Sequence, residues 1–210
     1  MKQMKHSAKL GALVLISALL IPLFLFNALL YDKLFYSQEF SRLGVYEKQA
    51  EADAIAKEIL SFLKGKVNLT TNLLTEEEKS HLSDVKAIFT ALRWTMYALA
   101  GLLLVVFYFV QKSVKLKEEK RAFLSMYFMA TGILLLALLF LLGISLFNFP
   151  SAFQEMHSLL FPQGNYEFPA DSTLITLFPG QFFADFMRQV VINTALAVGT
   201  LVGIGYLLRR

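Results

Sequence analysis

The sequence predicts an all-α membrane protein, with four transmembrane helices and a small extracellular cap formed by the two outer loops. Three observations carry that prediction. Four stretches of roughly twenty apolar residues occur, each long enough at ~1.5 Å per residue to cross a ~30 Å hydrocarbon core. The balance of 56% hydrophobic and 14% aromatic residues, with a mean hydropathy of +0.55, exceeds that of ordinary globular chains. Lysine and arginine are sorted between alternate connections, which fixes an orientation in a bilayer.

Taken in order, residues 1–30 form a cytoplasmic tail and the first transmembrane helix. Lys2, Lys5 and Lys9 precede an apolar run from Leu10 to Leu30. The run is longer than the apolar region of a signal peptide, and no small-residue cleavage site follows it, so an uncleaved anchor is expected. Residues 31–93 change to a soluble composition, with nine basic and ten acidic side chains, and are expected to fold outside the bilayer as the first cap segment. Within them, residues 51–64 place Ile55, Ile59 and Phe62 or Leu63 at helical spacing, and Gly65 is a plausible C-terminal cap. A second helix begins at Thr75, whose pairing with Glu78 reads as a capping box. It carries His81 and continues without a breaker into the second span, residues 94–111, where Arg93 and Trp94 read as interface anchors.

Residues 112–121 are a short cytoplasmic loop with five basic and two acidic residues. Residues 122–147 are the third transmembrane helix and residues 148–185 the second cap segment. The stretch from Pro150 to Asp185 holds four acidic residues and neither lysine nor arginine. Residues 186–210 give the fourth transmembrane helix and a cytoplasmic end at Arg209 and Arg210. The positive-inside rule then places both termini and the middle loop in the cytoplasm and both long loops outside. Gly199, Gly203 and Gly143 are the positions expected to allow close helix approach. The net charge of +4 arises from cytoplasmic anchoring residues, so nucleic acid is not an expected partner. With no cysteine in the chain, disulfides and a thiol nucleophile are excluded.

Candidate chemistry centres on histidine. His6 belongs to the cytoplasmic tail, whereas His81 and His157 lie on different loops on the same side of the membrane. Ser151 reads as the N-cap of a helix that puts Phe153, Met156, His157, Leu160 and Phe161 on one stripe. His157 on that face is either a packed residue or a desolvated base. Asp84, three residues after His81, shares its helix face and is placed to hold the ring's tautomer or raise its proton affinity, although a chance pairing on a surface helix reads equally well. A metal site using His81, His157 and Asp84, Glu155 or Asp171 lacks any clustered ligand spacing. There is no Gly-x-Ser-x-Gly elbow and no glycine-rich phosphate loop, so serine hydrolysis and nucleotide chemistry are not expected. Ionisable residues are nearly absent from the four spans, which argues against translocation.

The order of these features resembles the bacterial lipoprotein intramolecular transacylase (Lit) family. The resemblance rests on four spans, His-x-x-Asp-Val-Lys from His81 to Lys86 before the second span, and Phe-x-x-Met-His from Phe153 to His157. The run from Asp171 to Phe183 completes it. It implies transfer of an acyl chain from the sn-2 ester of a diacylglyceryl-modified lipoprotein to the α-amino group of the same N-terminal cysteine, with His81 and His157 catalytic. Asp84, Lys86, Arg93, Trp94 and Asp171 are the supporting candidates. Phe149, Phe153, Phe161, Tyr166, Phe168, Phe178, Phe182 and Phe183 are candidates to line an acyl-accepting, water-excluding pocket. The implied reaction is ester to amide and downhill, so no metal, nucleotide or other cofactor is expected. The implied partners are diacylglyceryl-modified lipoproteins and membrane lipids, and the implied place is the bacterial cell membrane. A reading from another class is a non-enzymatic membrane scaffold that binds an envelope protein through its cap.

Overall fold

The structure, a computed structural model, describes residues 2–113 and 116–210; the side chains of residues 2–6 and 145 are outside the description. The predicted loop 112–121 therefore has two positions, 114 and 115, outside the described residues, and so do the side chains of Lys2, Lys5 and His6. Among the described residues the regular structure is entirely helical: α1 (Lys2–Leu30), α2 (Lys33–Arg42), α3 (Val45–Lys48), α4 (Ala52–Leu63), α5 (Glu76–Ser113), α6 (Lys117–Phe147), α7 (Phe149–Leu160), α8 (Thr173–Leu177) and α9 (Gly180–Arg209). They divide between two compact units, and α1, α5, α6 and α9 each contribute to both.

The first unit comprises Met1–Asn27, Trp94–Ile144 and Gln189–Arg210. Four helices here are long and apolar enough to cross a membrane. In their most apolar windows only 11–33% of residues are buried inside the protein, and Leu104, Phe140, Leu196 and Leu207 are each about two-thirds or more exposed. Apolar side chains turned outward on this scale need lipid around them, because in water they would cost ~25 cal/mol per Å². What is buried packs at small residues and a few polar pairs. Leu13, Val110 and Phe123 form one cluster, Ser17 and Tyr127 share a hydrogen bond of 2.7 Å, and Ser125 Oγ donates to the Gly205 carbonyl at 2.7 Å. A Cβ added at Gly205 or Gly132 would come within 2.6 Å of a neighbour, whereas Gly143, Gly199 and Gly203 face open space. The close approaches are thus made at Gly132 and Gly205 and not at the three glycines that spacing singled out. Small-x-x-x-small spacing marks a face that permits approach, and it does not choose which face the partner helix takes.

The second unit comprises Ala28–Arg93 and Ser145–Arg188, so both long loops fold into one body. Its α4 forms where the periodicity places it, with Ile55, Ile59, Phe62 and Leu63 all buried, and Gly65 ends it at φ +78°. Positive φ costs glycine nothing, and the Gly65 and Lys66 amides return to the Phe62 and Ser61 carbonyls. α2 carries no strong periodic signal, yet it places Phe35, Tyr36 and Phe40 in the interior. These rings meet Phe178 and Phe182 at centroid distances of 5.3–6.2 Å. Arg42 and Arg188 both pair with buried Asp185, which fastens α2 to the first turns of α9.

Candidate active site

His81 is positioned by the start of α5. Glu78 Oε2 accepts from the Thr75 amide at 2.7 Å, and Thr75 Oγ1 accepts from the Glu78 amide at 3.2 Å, the reciprocal capping box read from sequence. The other oxygen of Glu78, a residue only 1% exposed, accepts from the Leu174 amide at 2.8 Å. One carboxylate therefore caps α5 and anchors the second loop to it. α5 has 38 residues and is about 57 Å long, nearly twice the hydrocarbon core. Its first two turns, with His81, lie outside the apolar span.

The second loop brings His157 to His81. The two rings lie 6.3 Å apart, centre to centre, with 23° between their planes. Phe161 and Phe168 stand against His81 at 4.6 and 5.6 Å, and Phe153 and Tyr166 flank His157 at 4.1 and 5.2 Å. Tyr166 is held to α7 through the hydroxyl of Ser158 at 3.0 Å. His157 Nδ1 is 2.8 Å from the Phe153 carbonyl one turn earlier. A carbonyl can only accept, so Nδ1 carries the hydrogen, and neutral His157 presents its lone pair at Nε2.

His81 is electrostatically different. Burial, reinforced by His157, pushes its pKa down to about 4, while Asp84 and Asn165 act in the opposite sense. The ring is therefore neutral at physiological pH. Its Nδ1 is buried and has no hydrogen-bond partner within the described protein, an open polar valence of the kind that accompanies functional sites.

The remaining predicted residues fall in several places. Asp84 makes no hydrogen bond to His81; its Oδ2 accepts from Gln163 at 2.9 Å and Asn165 at 2.6 Å, two amides of the other loop. Lys86 lies over the Phe62 ring at 4.1 Å. Arg93 donates to the Leu63 carbonyl at 3.1 Å and so closes the end of α4. Trp94 is 68% exposed and packs edge-on to Tyr97, and Asp171 lies on an exposed turn before α8. Of the pocket candidates, Phe153, Phe161, Tyr166 and Phe168 stand against the histidines. Phe149 and Phe183 back Phe153 at 5.4 and 5.0 Å, and Phe178 and Phe182 belong to the aromatic core under α2. Ser151 is not the N-cap of α7: the helix starts two residues earlier, with Pro150 in its first turn and Asn148 in the capping position. Proline suits that turn because it has no amide to leave unpaired, and Ser151 accepts from the Asn148 side chain at 2.9 Å. Within the predicted stripe Phe161 is buried, whereas Met156 and Leu160 are each 42% exposed.

The family model described as lipoprotein intramolecular transacylase Lit matches residues 11–183, more than four-fifths of the chain. Among solved structures, that of the membrane-integral lipoprotein intramolecular transacylase Lit from Bacillus cereus superposes with a TM-score of 0.83 at 18% identity, covering 99% of this chain and 97% of that one. Two further structures of that protein, each with one histidine replaced, by arginine and by alanine, superpose with TM-scores of 0.76 at the same identity. They cover 99% of this chain and 93% and 94% of theirs. Comparison with curated proteins returned no match. At 18% identity the structural likeness speaks for the fold, and the family rests on the sequence match.

Proposed function

From the premise that this chain belongs to the lipoprotein intramolecular transacylase family, and is thus a membrane acyltransferase acting on lipoproteins, we propose that His81 and His157 together move an acyl chain from the sn-2 glyceryl ester to the α-amino group of the same lipidated N-terminal cysteine. The observation that carries this reading is the pairing of two histidines from separate loops, 6.3 Å apart in an aromatic surround, the Nδ1 of one held by a backbone carbonyl and the Nδ1 of the other left open.

The chemistry needs two things. The attacking amine, the ester and the atoms between them close a ring of about eight members, so compact binding supplies most of the rate through proximity. The α-ammonium, with a pKa near 8, must also lose a proton before it can attack. Nε2 of His157 takes that proton and passes it to water. The free amine adds to the ester carbonyl, and neutral His81 donates an N–H to the oxyanion that forms, as a buried imidazole too weakly basic to be protonated is fitted to do. His157 then removes the second proton from the new C–N nitrogen and delivers it to the sn-2 oxygen as the C–O bond breaks. An amide and a free hydroxyl result, with one proton released overall. Phe153, Phe161, Tyr166 and Phe168 keep water from competing for the acyl carbon.

Purified protein in detergent is expected to convert a diacyl lipopeptide to its N-acyl lyso isomer at unchanged mass. His81→Ala and His157→Ala should each lower turnover by about 10²–10⁴-fold, the usual worth of acid–base catalysis. The double variant should lose little more than the worse single one, because groups acting as a unit are not additive. Folded single variants that convert substrate at the unaltered rate would overturn the two-histidine mechanism.

A further inference from the structure

We infer that Gln163 and Asn165, together with Asp84, form a latch between the two loops that positions His81 for acyl transfer, an inference that rests on the role given to His81 above. Asp84 stands one turn after His81 on α5, where a carboxylate is free to swing onto the imidazole. It does not, because both amides donate to its Oδ2, at 2.9 and 2.6 Å. Gln163 Nε2 also donates to Asn165 Oδ1 at 3.1 Å, which closes a triangle and fixes which way the Asn165 amide points. Gly164 makes the triangle possible. At φ +76°, with its amide donating to the Phe161 carbonyl at 2.9 Å, it turns the chain so that residues on either side face the same carboxylate.

The latch has two consequences for His81. It keeps the carboxylate from pairing with the ring, so its Nδ1 stays open. It also fastens the loop segment that carries Phe161 and Phe168, the two rings in contact with His81, to the helix that carries His81 itself. Charge-assisted hydrogen bonds from neutral amides give such a tie direction without adding a second charge. Asn165 and Asp84 also bear on the His81 ring itself, both favouring its proton, but none of the three residues is given a contact with the reacting atoms, so they are positioning residues.

The test is an exchange of the two groups, read as kcat and KM on a diacyl lipopeptide in detergent. N165D sets two carboxylates at hydrogen-bond distance and should lower kcat by about 10–100-fold with KM little changed. D84N leaves two amides able to pair and should lose less. The double variant D84N/N165D restores one carboxylate facing amides, since Gln163 already reaches position 165, and should recover most of the activity that N165D loses. A purely structural role would move thermal stability without this recovery. Should N165D fail to fold, N165A and Q163A delete the donors without adding charge, and each is expected to lower kcat by about tenfold. Folded single variants with unaltered kcat, or a double variant no better than N165D, overturn the latch. H81A run alongside separates the two failures. If H81A is inactive while the latch variants are unaffected, only the latch falls; if H81A is fully active, the role of His81 falls with it.

Discussion

At the scale of single residues, the depressed pKa of His81 has a direct thermodynamic consequence. The folded protein holds the ring neutral down to about pH 4, whereas an unfolded histidine takes up its proton near 6.5. Between those values the unfolded chain binds the extra proton, so the contribution of His81 to stability is complete above pH 6.5 and is lost as the pH falls toward 4. Thermal midpoints in detergent are expected to decline across this window, and less steeply for His81→Gln. Nuclear magnetic resonance of labelled histidines should give His81 a midpoint near 4; one near 6.5 would contradict a desolvated ring. The two histidines were legible in sequence because histidine is rare here and titrates near neutrality. Asp84 was legible as a partner by its i+3 spacing, but spacing along one helix says nothing of amides arriving from another loop. Gln163 and Asn165 carry no charge and no motif, and their only trace was the glycine between them.

At the scale of elements, what the sequence disclosed follows from how local each signal is. Capping of α5 by Thr75 and Glu78 and the closure of α4 at Gly65 are written within a few residues, and both form. α2 could not be read in the same way, since its rings are made interior by Phe178 and Phe182 far along the chain. The contact between α6 and α9 is also nonlocal, and it yields a sharp contrast. A Cβ at Gly205 would meet the Met129 backbone nitrogen and the Ser125 carbonyl at 3.1 Å, atoms that cannot swing away, as well as the Met129 side chain at 2.6 Å. Gly205→Ala should therefore cost about 1–3 kcal/mol. Gly199→Ala, with nothing within 4 Å, should be neutral or stabilise slightly by improving helix propensity. Thermal unfolding in detergent checks the pair, and equal losses would show that α6 and α9 do not meet at Gly205.

At the scale of the whole molecule, two independent arguments bear on orientation. The loops before α5 and after α6 fold into one unit, tied by Thr173 Oγ1 donating to the Leu73 carbonyl at 2.5 Å and by the Leu174 amide on Glu78. Loops joined in this way must lie on the same side of a bilayer, and the two apolar helices between them satisfy that parity. Charge bears on which side that is. Five basic residues stand in the stretch 112–121 and none between Pro150 and Asp185, and on this positive-inside bias we propose that the histidine-bearing loops face outward. The chain has no cysteine, which makes single-cysteine variants clean reporters. Lys48→Cys and Asp171→Cys should react with a membrane-impermeant thiol reagent on intact cells, and Lys117→Cys only after the membrane is opened. Labelling of Lys48→Cys without Asp171→Cys would break the same-side requirement and the fold with it. Labelling of Lys117→Cys alone would keep the fold and invert the protein, putting the site where a lipidated amino terminus on the outer leaflet does not reach.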